Sequence, residues 1–166
     1  MTQFSPIYGT ITSITPMQDG TGNSGCNLRV SVMTRDMGPI TFTISPRTYV
    51  VGQQMLSPGD SVVAFYDTTA PVPMIYPPQY HAVLIAKNDS NSFASFDYYT
   101  DELVNSDMTL KLNLRPSPAS NVILSNGQMF FGNPGGHYLF VRYTNTTRSI
   151  PAQTSPELVI VFCQGE

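Results

Sequence analysis

Residues 59–69 read GDSVVAFYDTT and residues 136–146 read GHYLFVRYTNT. The two stretches superpose without a gap: Gly59 stands seven residues before Tyr66, as Gly136 does before Tyr143. In both, alternate positions are apolar or aromatic, Val62, Ala64 and Tyr66 in one and Leu139, Val141 and Tyr143 in the other. That period of two is the mark of a strand with an inward face. A proline-bearing segment follows each, twelve residues from Tyr66 to Pro78 and thirteen from Tyr143 to Pro156, and then a closing apolar run, YHAVLIA or LVIVFC. Agreement in order, spacing and polarity predicts two successive units, residues 1–88 and 89–166.

The rest of the chain supports strands throughout. NLRVSV sets Leu28, Val30 and Val32 against Asn27, Arg29 and Ser31, and TLKLNL sets Leu110, Leu112 and Leu114 against Thr109, Lys111 and Asn113. PITFTI continues the alternation through Ile40, Phe42 and Ile44. Glycine, proline and an Asn126-Gly127 turn signal interrupt every apolar run before helical length. The expected strands are 7–15, 27–35, 39–44, 61–67 and 80–86 in the first unit, and 93–99, 108–114, 121–125, 138–144 and 157–163 in the second. Five strands with a longer third connection resemble the OB plan, a five-stranded Greek-key barrel. The expected fold is therefore all-β, with two tandem five-stranded OB-like Greek-key barrel units packed against each other; a single β-sandwich is the alternative. Packing together is expected because Val63, Phe65 and Phe140 make the second face of the fourth strands apolar too, and strands apolar on both faces need cover on both.

Composition narrows the function. Charged residues make up 11% of the 166 and apolar residues 41%, against roughly 25% charged in an average soluble domain. A surface of Thr, Ser, Asn, Gln and Tyr loses less on desolvation than one of Lys and Glu, which favours a homo-oligomer or a protein partner. Lys87, Lys111 and six arginines face eleven carboxylates, for a net charge of −3. No basic cluster is available to neutralise phosphates, which argues against nucleic acid. No stretch approaches the eighteen or so apolar residues of a membrane helix, and MTQFSPIYGT lacks the basic and apolar regions of a signal peptide, so a cytoplasmic location is expected, with export or the cell surface as the alternative.

Candidate chemistry is sparse. His81 and His137 have no Cys or carboxylate at metal-ligand spacing, so no metal and no cofactor is expected. Cys26 and Cys163 read as inert thiols, Cys163 lying opposite Ile85 in the alignment of the two halves. Asn88-Asp-Ser and Asn145-Thr-Thr match the glycosylation acceptor pattern, a triplet that arises by chance in a Ser/Thr-rich chain. Asp97, Asp101, Glu102 and Asp107 crowd one short segment and read as a solvated turn rather than a glycosidase pair. QDGTGNSG, residues 18–25, has the glycines of a calcium or phosphate loop without the alternating carboxylates or the lysine. Residues 65–80, FYDTTAPVPMIYPPQY, place four prolines and three tyrosines in the loop that borders the ligand face of an OB barrel. Three residues separate Pro73 from Pro77, not the two of a polyproline ligand, which weakens the docking-peptide reading. The candidate binding residues are Tyr76 and Tyr80 there, and Arg148 and Gln153 in the matching loop, TRSIPAQTSP.

SPGDSVVAFYDTTAPVPMIYPPQYHAVLI and TRSIPAQTSPELVIVFC together resemble a family of small bacterial proteins, mostly clostridial, with no assigned function. The resemblance implies a bacterial source and two β-rich units, and supplies no activity, cofactor or catalytic residue. The function expected is a non-catalytic binding or assembly module that self-associates. Alternatives are a carbohydrate or single-stranded nucleic-acid binder using the loops between the fourth and fifth strands, and a small hydrolase built on His81 or His137 with a nearby carboxylate.

Overall fold

The structure, a computed structural model, describes residues 2–18, 20, 22 and 24–164. It is all-β, arranged in several sheets with no closed barrel. The chain divides into two compact units, Met1–Ser90 and Asn91–Glu166.

In the first unit the strands are β1 (Phe4–Pro16), β2 (Leu28–Thr34), β3 (Gly38–Ile44), β4 (Tyr49–Val50), β5 (Ser61–Asp67), β6 (Gln79–His81) and β7 (Leu84–Lys87). They form one sheet in the order β4-β7-β5-β1-β2-β3-β6. The long first strand serves two partners in turn. Phe4 to Thr10 pairs antiparallel with β5, Thr10 to Pro16 pairs antiparallel with β2, and a register shift lies between Ile11 and Ser13. A bulge of this kind increases the local twist and redirects a strand.

The closing strand expected over 80–86 is two strands rather than one. The amide of Ala82 donates to the Thr43 carbonyl at 3.0 Å, on the β3 side, and the next amide, Val83, donates to the Phe65 carbonyl at 2.8 Å, on the β5 side. The first half, β6, is accordingly parallel to β3, and the second half, β7, is antiparallel to β5 and parallel to β4. The core gathers on the face predicted by alternation: Ile7, Ile11, Val30, Val32, Ile40, Phe42, Val62, Ala64 and Ile85 are buried together. Val63 and Phe65, on the other face of β5, are buried as well.

The second unit holds β8 (Phe93–Tyr99), β9 (Leu110–Leu112), β10 (Val122–Leu124), β11 (His137–Tyr143), β12 (Ala152–Thr154) and β13 (Leu158–Phe162). β8 is antiparallel to β11 along its length, β11 is antiparallel to β13, and β10 is parallel to β13. β9 and β12 make a separate parallel pair. Again the expected closing strand is preceded by a piece, β12, that pairs elsewhere. The strand expected over 108–114 shrinks to Leu110–Leu112, and by its parallel partner it answers to β3 of the first unit, not to β2. In the place of β2 stand two isolated bridges, Tyr99 to Asn105 and Val104 to Lys111. The Asn105 side chain supplies what a ladder otherwise would: its Oδ1 accepts from the amides of Thr109 and Leu110, both at 2.9 Å. The core here is Tyr99, Leu110, Leu112, Val122, Leu139, Val141, Val159 and Val161. Cys163 packs against its edge, while register sets Val159 in the position that Ile85 holds beside β5.

Gly9 marks a close approach of β1 to β2. A Cβ there would run into Val32 Cγ1 and lie 2.7 Å from the Met33 carbonyl oxygen, and a backbone atom cannot move aside as a flexible side chain can. Gly9→Ala is expected to cost about 1–3 kcal/mol, the usual penalty of overpacking, read as a lower midpoint in urea unfolding. An unchanged midpoint would show that the two strands separate freely at this point.

Tyr99 sets an alkaline limit on the second unit. Burial pushes its phenol far above the usual range, against a smaller opposing effect of the hydrogen bond it shares with Ser95 at 2.8 Å. The stability gained by keeping this phenol protonated is complete below the unfolded pKa of about 10 and declines as pH rises above it. A stability profile from pH 8 to 12 should therefore fall more steeply for the wild type than for Tyr99→Phe; parallel profiles would contradict this.

Candidate functional site

The loop over residues 68–78 leaves β5 through a tight turn. Asp67 Oδ1 accepts from the Thr69 amide at 2.8 Å and from its hydroxyl at 2.7 Å, and the Ala70 amide donates to the Asp67 carbonyl at 3.2 Å. The Thr68 amide also reaches the Gln3 carbonyl at 3.0 Å. The loop rejoins the sheet where the Thr41 amide donates to the Pro78 carbonyl. Between these anchors, prolines at 71, 73, 77 and 78 remove four backbone donors that would otherwise need partners. The Tyr76-Pro77 peptide bond is cis.

The structure separates the two tyrosines predicted here. Tyr80, on β6, is half-buried against the core; its ring centroid lies 4.6 Å from that of Tyr66 and 6.2 Å from that of Phe42. It is a packing residue that presents one side to the loop. Tyr76 is 78% exposed, in company with Met74 at 103% and Ile75 at 54%. Under the loop Tyr66, Tyr80, Pro71, Val72 and Val83 line a recess of about 60 Å³. Asp67 and His81 also line it. His81 Nδ1 lies 3.2 Å from Thr43 Oγ1.

In the second unit Arg148 is exposed, whereas Gln153 lies on β12 and holds the loop together. Thr147 and Gln153 exchange bonds: the Thr147 amide donates to the Gln153 carbonyl, and the Gln153 amide to Thr147 Oγ1, each at 2.9 Å. Gln153 Oε1 accepts from Asn113 Nδ2 at 3.2 Å. Ile150, before another cis proline, is 95% exposed. Met74, Ile75 and Ile150 stand in the sequence as apolar residues inside loops, a signal carried by neither rings nor charges.

Among the described residues neither histidine is hydrogen-bonded to a carboxylate. His81 meets Thr43, and the His137 ring sits edge-on to Phe130 at 6.2 Å. Of the crowded acids, Asp101, Glu102 and Asp107 lie in turns, whereas Asp97 lies on β8; both Asp97 carboxylate oxygens accept from Ser106, and Asp107 Oδ1 accepts from Thr109 Oγ1 at 2.6 Å. Among the described residues no group of three or more His, Cys, Asp or Glu side chains is placed to hold a metal. Cys26 and Cys163 are both free thiols. The glycine-rich stretch at 18–25 includes Asp19, Thr21 and Asn23, so that reading lies outside the described residues. Among the described residues no helix is long and apolar enough to cross a membrane. No protein-family model matches the chain, and no curated protein shows significant similarity to it.

The Thr69 hydroxyl, and after it the Thr69 amide, hold the Asp67 carboxyl below the ordinary aspartate value of 3.8. Removing the hydroxyl with Thr69→Ala leaves the weaker of the two donors, so the Asp67 pKa should move back up toward 3.8. An NMR titration of the Asp67 carboxyl carbon in both proteins checks this, and an unmoved midpoint would mean that the hydroxyl does not stabilise the anion.

Proposed function

We propose that the chain is a non-catalytic assembly module made of two OB-like units, and that it self-associates through the exposed loop over residues 68–78. The OB-like reading draws support from pairings that recur in each unit. First and fourth strands are antiparallel (β1 with β5, β8 with β11), third and closing strands are parallel (β3 with β6, β9 with β12), and the far half of the closing strand returns to the fourth (β7 to β5, β13 to β11). A parallel third–fifth pair within an otherwise antiparallel five-strand set is what distinguishes the OB plan from a simple meander.

The observation that carries the functional reading is the exposure of Met74, Ile75 and Tyr76 in a stretch, residues 68–78, without a single charge. Clustered exposed apolar side chains mark interaction sites. Because the stretch is neutral, two copies can meet through it with no like charges opposed across a twofold axis. The carbohydrate or nucleic-acid alternative loses support here. A recess of about 60 Å³ is several times smaller than the roughly 300–1,000 Å³ of small-molecule sites, and Tyr80 stacks on its own core.

Light scattering coupled to size exclusion should give a mass above that of the 166-residue monomer at about 100 µM, and the double variant Met74→Asp/Ile75→Asp should return it to monomer. A clean monomer for the wild type at that concentration would sink the reading.

A further inference from the structure

Residues 128–131 are the returning arm of a hairpin that begins with β10, the strand at one end of the four-stranded sheet of the second unit. The Leu124 amide donates to the Gln128 carbonyl at 2.7 Å and the Phe130 amide to the Val122 carbonyl at 3.1 Å, which makes Ile123 and Met129 the facing residues of an antiparallel bridge. Successive residues in such a pair direct their backbone groups to alternate edges. With Gln128 and Phe130 bonded inward, the Met129 N–H and C=O therefore point outward. Among the described residues neither group has a hydrogen-bond partner, and the same holds for the backbone groups of Phe131. The side chains alternate as well: Phe130 packs on the second core, whereas Met129 is 40% and Phe131 74% exposed.

Natural sheets protect such an edge with charges, prolines or bulges. Charge is missing here, since no Asp, Glu, Lys or Arg occurs from Pro116 to Val141, and the next proline along the chain, Pro134, lies beyond Phe131. An outward donor and acceptor on one residue form the complement of a second extended backbone in antiparallel register. The exposed side chains add a further condition, because residues directly opposite Met129 and Phe131 lie on the same face. Apolar side chains there cover the two, and charged ones give up water with nothing in return. Four residues span about 13 Å, and two such edges meeting about a twofold axis bury far less than the roughly 1,200 Å² of a stable dimer. A contact of that size suits the transient capture of an extended segment.

We propose that the outer edge of residues 128–131 is a docking site for an extended, uncharged segment of a polypeptide partner, which adds a strand antiparallel to it and sets apolar side chains over Met129 and Phe131. The site belongs to the second unit and the loop at 68–78 to the first, so it goes beyond self-association and does not rest on it.

The test uses the full chain labelled with nitrogen-15, with its mass followed by light scattering in the same samples. The probe is acetyl-Thr-Val-Thr-Val-Thr-amide, compared with the same peptide carrying N-methylvaline at both valines, which keeps the side chains and removes the two donors that would face the edge. The first peptide should shift the amides of residues 128–132 saturably, with a dissociation constant on the order of a millimolar, as a short flexible strand delivers, and should slow hydrogen exchange at Met129. The N-methylated peptide should bind at least about tenfold more weakly. Met129→Glu/Phe131→Glu, at two exposed positions whose replacement leaves the core intact, should weaken the first peptide by about the same factor, because carboxylates then stand against an apolar strand. Equal binding of the two peptides would overturn strand addition; saturable shifts centred on another segment, or none up to about 10 mM, would overturn the site. If Met129→Glu/Phe131→Glu instead lowers the mass of the peptide-free protein, the edge belongs to a second copy and the partner segment is overturned. Self-association through 68–78 fails separately, since it is read from the mass of Met74→Asp/Ile75→Asp and not from shifts at 128–132.

Discussion

Two adjacent amides, Ala82 and Val83, donate in opposite directions, one to Thr43 and the next to Phe65. Extended backbone normally sends successive donors to alternate sides, so a strand can satisfy both only if a neighbour lies on each edge. Here those neighbours are β3 and β5, which belong to opposite parts of the sheet order. Every other pairing in the first unit is constrained by this arrangement: β1 must be long enough to bridge from β5 to β2, and β3 must offer a free edge for a parallel partner. Gly9 and the register shift after Ile11 let β1 make that bridge. The second unit repeats the device with a short insert, for the Asn113 amide donates to Thr154 and the Glu157 amide to the Arg142 carbonyl, with Ser155 and Pro156 between.

That constraint explains what alternation revealed and what it concealed. Period-2 patterning located β2, β3, β5, β8 and β11 closely, since alternate positions of each face a core, although β5 and β11 also bury Val63, Phe65 and Phe140 on the other face. It could not divide the runs at 80–86 and 157–163. Leu84, Ile85 and Ala86 are all buried, and a continuous apolar run carries no mark of which edge it pairs on. The second strand of the later unit was illegible for another reason. A side chain, Asn105, stands in for the missing ladder, and one asparagine in a loop looks like any other. Matching TLKLNL to NLRVSV by pattern alone therefore displaced the comparison by one strand, because alternation identifies a strand without identifying its partner.

The candidate site was legible as a region, less so as residues. Proline density located the loop, since a crossing without partners for its backbone amides must shed them. Which tyrosine faces water could not be read, because Tyr76 and Tyr80 differ only in whether the chain has rejoined the sheet. Gln153 is polar in the sequence, yet its side-chain oxygen accepts from Asn113 while its backbone pairs with Thr147. Sequence reasoning missed the Asp67–Thr69 turn, although Asp followed two residues later by Thr is a recognised local hydrogen-bonding pattern.

The turn at Asp67 carries the chain from β5 into the exposed loop. Tyr66 and Asp67 are consecutive at the end of β5, so their side chains leave opposite faces of the strand, one toward the core edge and one toward the loop. Thr69 then fixes one oxygen of the carboxylate and leaves the second uncommitted.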